Sequence, residues 1–196
     1  MNLTKEEIAH SVEEIFGLYE KYGNEDYGEN VTQLMHMTQC ANHAINEGAS
    51  DEMVLAAFLH DIGHFLENET SMGGYGRQDH DRLGGEYLLS RGFSERMVKL
   101  VSSHVRVKRY LTFKDKTYYD ELSEASRITL GFQGGPMNAE EAIAFEVDPD
   151  KDDCIKIRFW DDLGKEEHIP VDQEDLNRLR TLMTAYLEIL NVQYYS

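Results

Sequence analysis

"AAFLHDIGHFL", residues 56–66, decides how the rest of the chain is read. An apolar run carries His60, Asp61 and His64 in its middle. Apolar runs of this kind belong in a core, and a buried polar group costs free energy unless something pairs with it. The three either satisfy one another or hold something absent from the sequence. Read as part of one helix that begins near Ser50-Asp51-Glu52, the stretch puts His64 four residues after His60, on the same face.

The flanking segments are helical too. Thr4-x-x-Glu7 is a capping box, and Ile8, Val12, Ile15 and Leu18 follow it at helical spacing. Residues 23–29, "GNEDYGE", form a polar loop. A second helix is predicted through "NVTQLMHMTQCANHAINEG", with Gly48 as its stop. After the glycine-marked loop at 67–78, helices are predicted over "HDRLGGEYLLSRG", "SERMVKLVSSHVRVKRYL" and "TYYDELSEASRITLGFQ". "NAEEAIAFEV" and "DQEDLNRLRTLMTAYLEIL" continue the pattern. In "DCIKIRFWDDLGK" the β-branched Ile155 and Ile157 leave a strand open beside a helix. The expected fold is an all-α helical bundle, one domain over residues 1–196.

The formal net charge is −18, which argues against nonspecific nucleic-acid binding, since that needs a basic face. No apolar stretch approaches the roughly 20 residues of a membrane span. Two cysteines, Cys40 and Cys154, fit neither a disulfide framework nor a metal knuckle, so a reducing cytoplasm is expected. The expected partner is a small molecule, with neither nucleic acid nor membrane. An acidic chain can still take an anion where cations or metal ions cluster locally.

Eight histidines are present, and four of them, His36, His60, His80 and His104, fall on separate helical segments beside apolar residues. Asp61 follows His60, and Asp161 lies in "RFWDDL" next to the single tryptophan. A lone histidine on an apolar face is more often a hydrogen-bonded core residue than a ligand. The ordered set His36…His60-Asp61…His80…His104…Asp161 is far more specific, and imidazole with carboxylate suits iron, zinc or manganese. Helical bundles build such sites from inward-facing side chains on facing helices.

That order, H…HD…H…H…D, resembles the HD-domain superfamily of helical, metal-dependent proteins, most of them phosphohydrolases. "YGENVTQLMH", "EMVLAAFLHDIGH", "MGGYGRQDH", "GFSERMVKLVSSHVRVKRYL", "LSEASRITL" and "FQGGPM" sharpen the likeness. Over about residues 26–165 the chain is similar to the bacterial HD-domain oxygenases that cleave organophosphonates. The resemblance implies a mixed-valent Fe(II)/Fe(III) pair with O2 as co-substrate. It implies His36, His60 and Asp161 on the first iron, His80 and His104 on the second, and Asp61 bridging both, one oxygen to each metal. Six such side chains leave open positions on two ions that each prefer about six ligands.

For the substrate, the resemblance implies that His64, Lys108, Ser126 and Gln133 meet the phosphonate. Lys108 lies four residues after His104, on its face. Glu29 corresponds to the family's amine-contacting glutamate. Three residues before it, where the aminophosphonate-specific members carry an iron-covering tyrosine, this chain has Asp26, with Tyr27 one place on. Glu25, Asp26 and Glu29 around Tyr27 would suit a permanently charged cation, which is held by charge and aromatic contact. The expected reaction is therefore oxidative cleavage of 1-hydroxy-2-(trimethylammonio)ethylphosphonate to glycine betaine and phosphate. The primary amine, 2-amino-1-hydroxyethylphosphonate, is the alternative substrate, and metal-dependent phosphoester hydrolysis the alternative chemistry.

Overall fold

The computed structural model describes residues 3–26, 29–66 and 72–195, with side chains as far as residue 192. Every regular element among them is helical, as the periodicity predicts. The elements are α1 (Lys5–Tyr22), α2 (Gln33–Asn46), α3 (Asp51–Leu59), a 3-10 helix (Ile62–Phe65), α4 (His80–Ser90), α5 (Glu95–Val101) and α6 (His104–Lys114). Then follow α7 (Lys116–Glu121), α8 (Glu124–Phe132), α9 (Ala139–Glu146), α10 (Lys151–Leu163) and α11 (Gln173–Tyr195). No helix among the described residues is long and apolar enough to cross a membrane.

The start signals read at Thr4-x-x-Glu7 and near Ser50 act as such, and further side-chain caps join them. Thr4 and Glu7 form the reciprocal capping box of α1, and Thr32, Ser50, Ser94 and Asn138 cap α2, α3, α5 and α9 through their side chains. Gly48 takes a positive φ of 69° just past α2. Ile155 and Ile157 lie on a helix, not a strand, because Cys154, Ile157, Trp160 and Asp161 recur at helical spacing on its buried face.

Helix α3 is buried all round from Met53 to Leu59 and packs against α2, α5, α10 and α11. Tyr19 of α1 stacks on Phe58, ring centroids 4.5 Å apart, and its hydroxyl donates to the Phe58 carbonyl at 2.6 Å. Trp160 and Phe145 complete the buried aromatic set.

Three predicted continuous helices are broken. The opening stretch leaves the α-helix at Leu59, where the Phe58 carbonyl goes to Tyr19 and the Ala57 carbonyl to Nδ1 of His60, at 2.9 Å. Asp61 then sits at φ −103°, ψ 7°, and His64 belongs to the 3-10 helix. The single shared face expected for His60 and His64 is therefore replaced by a bend. An unbroken helix would turn Asp61 about 100° from His60, whereas the bend lets both point inward.

The predicted helix from Ser94 onward breaks at Ser102-Ser103. There Ser102 Oγ donates to the Asp81 carbonyl at 3.0 Å and Ser103 Oγ to that of Leu100 at 2.7 Å. The predicted helix at 117–133 breaks at Leu122-Ser123, where Ser123 caps α8 afresh.

Gly63 allows the 3-10 helix to touch the start of α4: a Cβ there would fall 1.8 Å from the His80 carbonyl oxygen. That atom is backbone and cannot swing away. Gly63→Ala is expected to destabilise the fold by at least ~2 kcal/mol. Chemical denaturation of the variant beside the wild type checks this.

Candidate metal centre

Six side chains converge between α2, α3, α4, α6 and α10. His36 comes from the first turn of α2, and His60 and Asp61 from the bend after α3. His80 and His104 open α4 and α6, and Asp161 sits near the end of α10. His36 Nε2 lies 3.2 Å from His60 Nε2, 3.8 Å from Asp61 Oδ2 and 3.5 Å from Asp161 Oδ1. His60 Nε2 lies 3.6 Å from Asp61 Oδ2 and 3.9 Å from Asp161 Oδ1. On the other side, Asp61 Oδ1 is 3.5 Å from His80 Nε2 and 3.3 Å from His104 Nε2, and those two nitrogens are 2.8 Å apart. One carboxylate thus turns one oxygen to each pair of imidazoles.

The hydrogen bonds on the far side of each ring decide what faces inward. Nδ1 of His36 meets the Gly164 carbonyl at 2.8 Å, that of His60 the Ala57 carbonyl at 2.9 Å, that of His80 the Arg77 carbonyl at 2.6 Å, and that of His104 the Val101 carbonyl at 2.9 Å. A carbonyl only accepts, so each Nδ1 carries a proton, and each ring in its neutral form presents a bare Nε2 lone pair. Two lone pairs 3.2 Å apart and two more 2.8 Å apart repel unless a cation lies between. Two nitrogens bound side by side to a first-row metal at about 2.1 Å are about 3 Å apart. The donor set fits metal on chemistry and on spacing.

His64 has the opposite tautomer. The backbone N–H of Arg77 donates to its Nδ1 at 3.0 Å, so the proton of the neutral ring is on Nε2. Its ring stacks on His80 at 3.9 Å, with Nε2 4.0 Å from Asp61 Oδ1. This imidazole offers the site a donor, not a lone pair.

The charges agree. Burial pushes His60 down to about 4 and lowers His64 well below the usual histidine range, so both are neutral at pH 7. Burial works against the charged forms of Asp161 and Asp61. Arg158 and then His60 nevertheless hold Asp161 low, and His60 and then His104 hold Asp61 low; against the effect of burial, Asp61 in turn raises His104, as a carboxylate that draws positive charge to its Oδ1 does. The guanidinium of Arg158, 2% exposed, donates to Asp161 Oδ2 at 2.5 Å, which leaves Oδ1 for the site.

The cavity over these groups is also lined by Glu29, His64, Lys108, Ser126 and Gln133, so five of the predicted substrate residues are brought together. Lys108 is 4% exposed, its Nζ donates to Thr129 Oγ1 at 2.9 Å, and burial, then Arg158, depress its pKa to about 7. Gln133 ends α8 and its Oε1 is buried with no partner among the described residues. Asp26 does not line this cavity: it is exposed and lines an adjoining surface hollow with Glu167 and Pro170, the two spaces sharing Glu29 and Val31. Tyr27 lies outside the described residues.

Gln33, Thr129, Arg158 and Lys165 are among the lining residues that escape the sequence reading. Gln33, whose buried Oε1 also has no partner among the described residues, lies one turn before His36, and Arg158 one turn before Asp161. Thr129 follows Ser126 at the same spacing. That i, i+3 relation was the available signal. Lys165 had none, because it lies on the loop after α10.

Comparison with known proteins gives the family. The HD domain family matches residues 6–148. An uncharacterized protein of Acanthamoeba polyphaga mimivirus is 42% identical over 190 residues, 95% of this chain and 86% of its own length. The glycine-betaine-forming 1-hydroxy-2-(trimethylamino)ethylphosphonate dioxygenase of Leisingera caerulea is 38% identical over 170 residues, 84% of this chain and 85% of that one. The hydroxymethylphosphonate dioxygenase of Gimesia maris is 34% identical over 180 residues, 90% of this chain and 88% of that one.

An ion that binds only the folded site stabilises it by mass action. Titrating Fe(II), Mn(II) or Zn(II) into chelator-stripped protein is expected to raise Tm by several degrees, and the gain should shrink as pH falls and protons compete for Nε2. Differential scanning calorimetry at two pH values checks both effects.

Proposed function

The chain belongs to the HD-domain dioxygenase family, and on that footing we propose that it catalyses O2-dependent cleavage of the C–P bond of a 1-hydroxyalkylphosphonate. The observation that carries this reading is Asp61, with one oxygen toward each bare imidazole pair, beside the buried Lys108. In this reading His36, His60 and Asp161 would hold one iron ion and His80 and His104 a second, with Asp61 available to each, as an Fe(II)/Fe(III) pair. Bound there, the pair supplies O2 activation and one-electron chemistry that no side chain offers.

The chain's own groups bind and orient. Lys108 meets the phosphonate as a point charge in a buried place, where such a contact is strong. His64 donates its Nε2–H to a phosphonate oxygen, and Ser126 and Gln133 supply further polar contacts. Anchored at this end, C1 and its hydroxyl are held against the ligand cluster. The balance consumes one O2: C1 leaves as a carboxylate and phosphorus as inorganic phosphate. Two free, buried cysteines suit a reducing cytoplasm.

For the group attached to C1, Glu29 at the cavity and the likeness to the Leisingera caerulea enzyme support 1-hydroxy-2-(trimethylammonio)ethylphosphonate, giving glycine betaine. The primary amine, giving glycine, comes next. A second reading has its own observation. Glu29 is already paired with Lys165 at 2.9 Å, which suits a substrate without a cation, such as the hydroxymethylphosphonate named for the Gimesia maris relative.

Iron-loaded protein is expected to release phosphate from at least one of the three hydroxyphosphonates in air and none without O2. Equal phosphate release under argon, measured by a molybdate assay, would establish hydrolysis instead. Lys108 is charged below its depressed pKa of about 7 and neutral above it. Values of kcat/KM should therefore fall as pH rises through 7. Lys108→Met should flatten that limb and cost roughly tenfold to hundredfold, the worth of a charged hydrogen bond. Steady-state kinetics from pH 6 to 9 on both proteins checks the sign.

A further inference from the structure

Lys165 crosses the cavity from the loop after α10. Its Nζ is 2.9 Å from Glu29 Oε1 and 3.2 Å from Ser126 Oγ, and Ser123 Oγ donates to the same Glu29 oxygen at 2.7 Å. One ammonium therefore touches both the carboxylate expected to meet a substrate cation and a hydroxyl at the phosphonate end.

The backbone around Lys165 is anchored. The Gly164 carbonyl receives Nδ1–H of His36, and a Cβ on Gly164 would lie 2.5 Å from Cys40 Sγ, so the chain presses directly on α2. On the other side, Glu166 and Gln39 exchange two hydrogen bonds, both at 2.9 Å. The lysine cannot drift off, and its effective concentration at Glu29 is that of a short tether.

We propose that Lys165 is an internal competitor for the substrate's cationic group at Glu29, and so sets the charge selectivity of the cavity; the proposal rests on the phosphonate reading above. An incoming ammonium cannot share Glu29 with Lys165 without like-charge repulsion, which in a half-buried place is much stronger than in bulk water. It must displace the lysine. Nζ then keeps the Ser126 hydroxyl and brings its charge toward the phosphonate. A primary ammonium replaces the lost N–H donor, whereas a trimethylammonium has none to give and must displace Lys165 by its charge alone. A phosphonate with no cation leaves the Glu29–Lys165 pair intact.

The test uses a matched pair that differs only in charge and cannot react, having no C1 hydroxyl: 2-aminoethylphosphonate and propylphosphonate. Isothermal titration calorimetry on iron-loaded protein, kept anaerobic, gives a Kd ratio for wild type, Lys165→Met, Lys165→Arg and Glu29→Gln. Lys165→Met is expected to shift the ratio at least tenfold toward the ammonium compound, and Lys165→Arg to hold it near wild type. Glu29→Gln, which leaves the lysine without its carboxylate, should shift it the other way. An unchanged ratio in Lys165→Met would overturn the proposal. If that variant loses its iron, the Glu29→Gln ratio decides alone, and no shift there overturns it equally. Wild-type protein that binds neither phosphonate would instead sink the phosphonate reading itself.

Discussion

Each of the four facing imidazoles commits its Nδ1–H to a main-chain carbonyl, and this leaves four Nε2 lone pairs turned on two carboxylates. Three of those carbonyls stand three residues upstream of their histidine, at Ala57, Arg77 and Val101. Inside a continuing helix such a carbonyl is taken by the next turn's N–H. The ring can have it only where the helix ends. The tautomer and the end of the helix are therefore one event, and it recurs at His60, between α5 and α6, and at the entry to α4. The short, interrupted helices follow from the needs of the site.

The same economy governs the buried charges. Arg158 is shared between Asp161 and Asp162 and also donates to the Tyr118 hydroxyl, so a guanidinium that is almost wholly buried has partners on every side. One Asp161 oxygen is thereby held away from the ligand cluster and the other presented to it. Lys108, Arg158 and Lys165 line a single cavity in a chain of net charge −18. Local placement, not overall charge, gives this acidic protein a place for an anion.

His64 shows how finely the backbone sets function here. It is as buried as the four inward-facing histidines and lies three residues from Asp61, so composition and spacing make it look like a fifth ligand. The N–H of Arg77 reverses its tautomer and turns a lone pair into a donor. Gly76, at a positive φ of 83°, lies close against this ring; a Cβ there would fall 2.4 Å from His64 Cε1. The loop's backbone and the ring are fitted to one another.

Much was legible in the residue order. Caps at Thr4, Thr32, Ser50, Ser94 and Asn138 are local chemistry, and so is the 3.6-residue recurrence of apolar side chains, which is why the all-α fold could be read from the chain. The set of His36, His60, Asp61, His80, His104 and Asp161 was readable as a candidate metal site because its order and its HD pair form a pattern in one dimension. Where α3, α5 and α7 stop was not readable; at α3, for example, Tyr19 takes the Phe58 carbonyl from 39 residues away. The inward lone pair of His36 depends on a carbonyl at Gly164, 128 residues on, and the cation beside Glu29 comes from Lys165, 136 residues on. Residue identity settles which groups can bind a proton, a metal or an anion. Which of them does so is settled by partners that only tertiary packing brings within hydrogen-bonding distance.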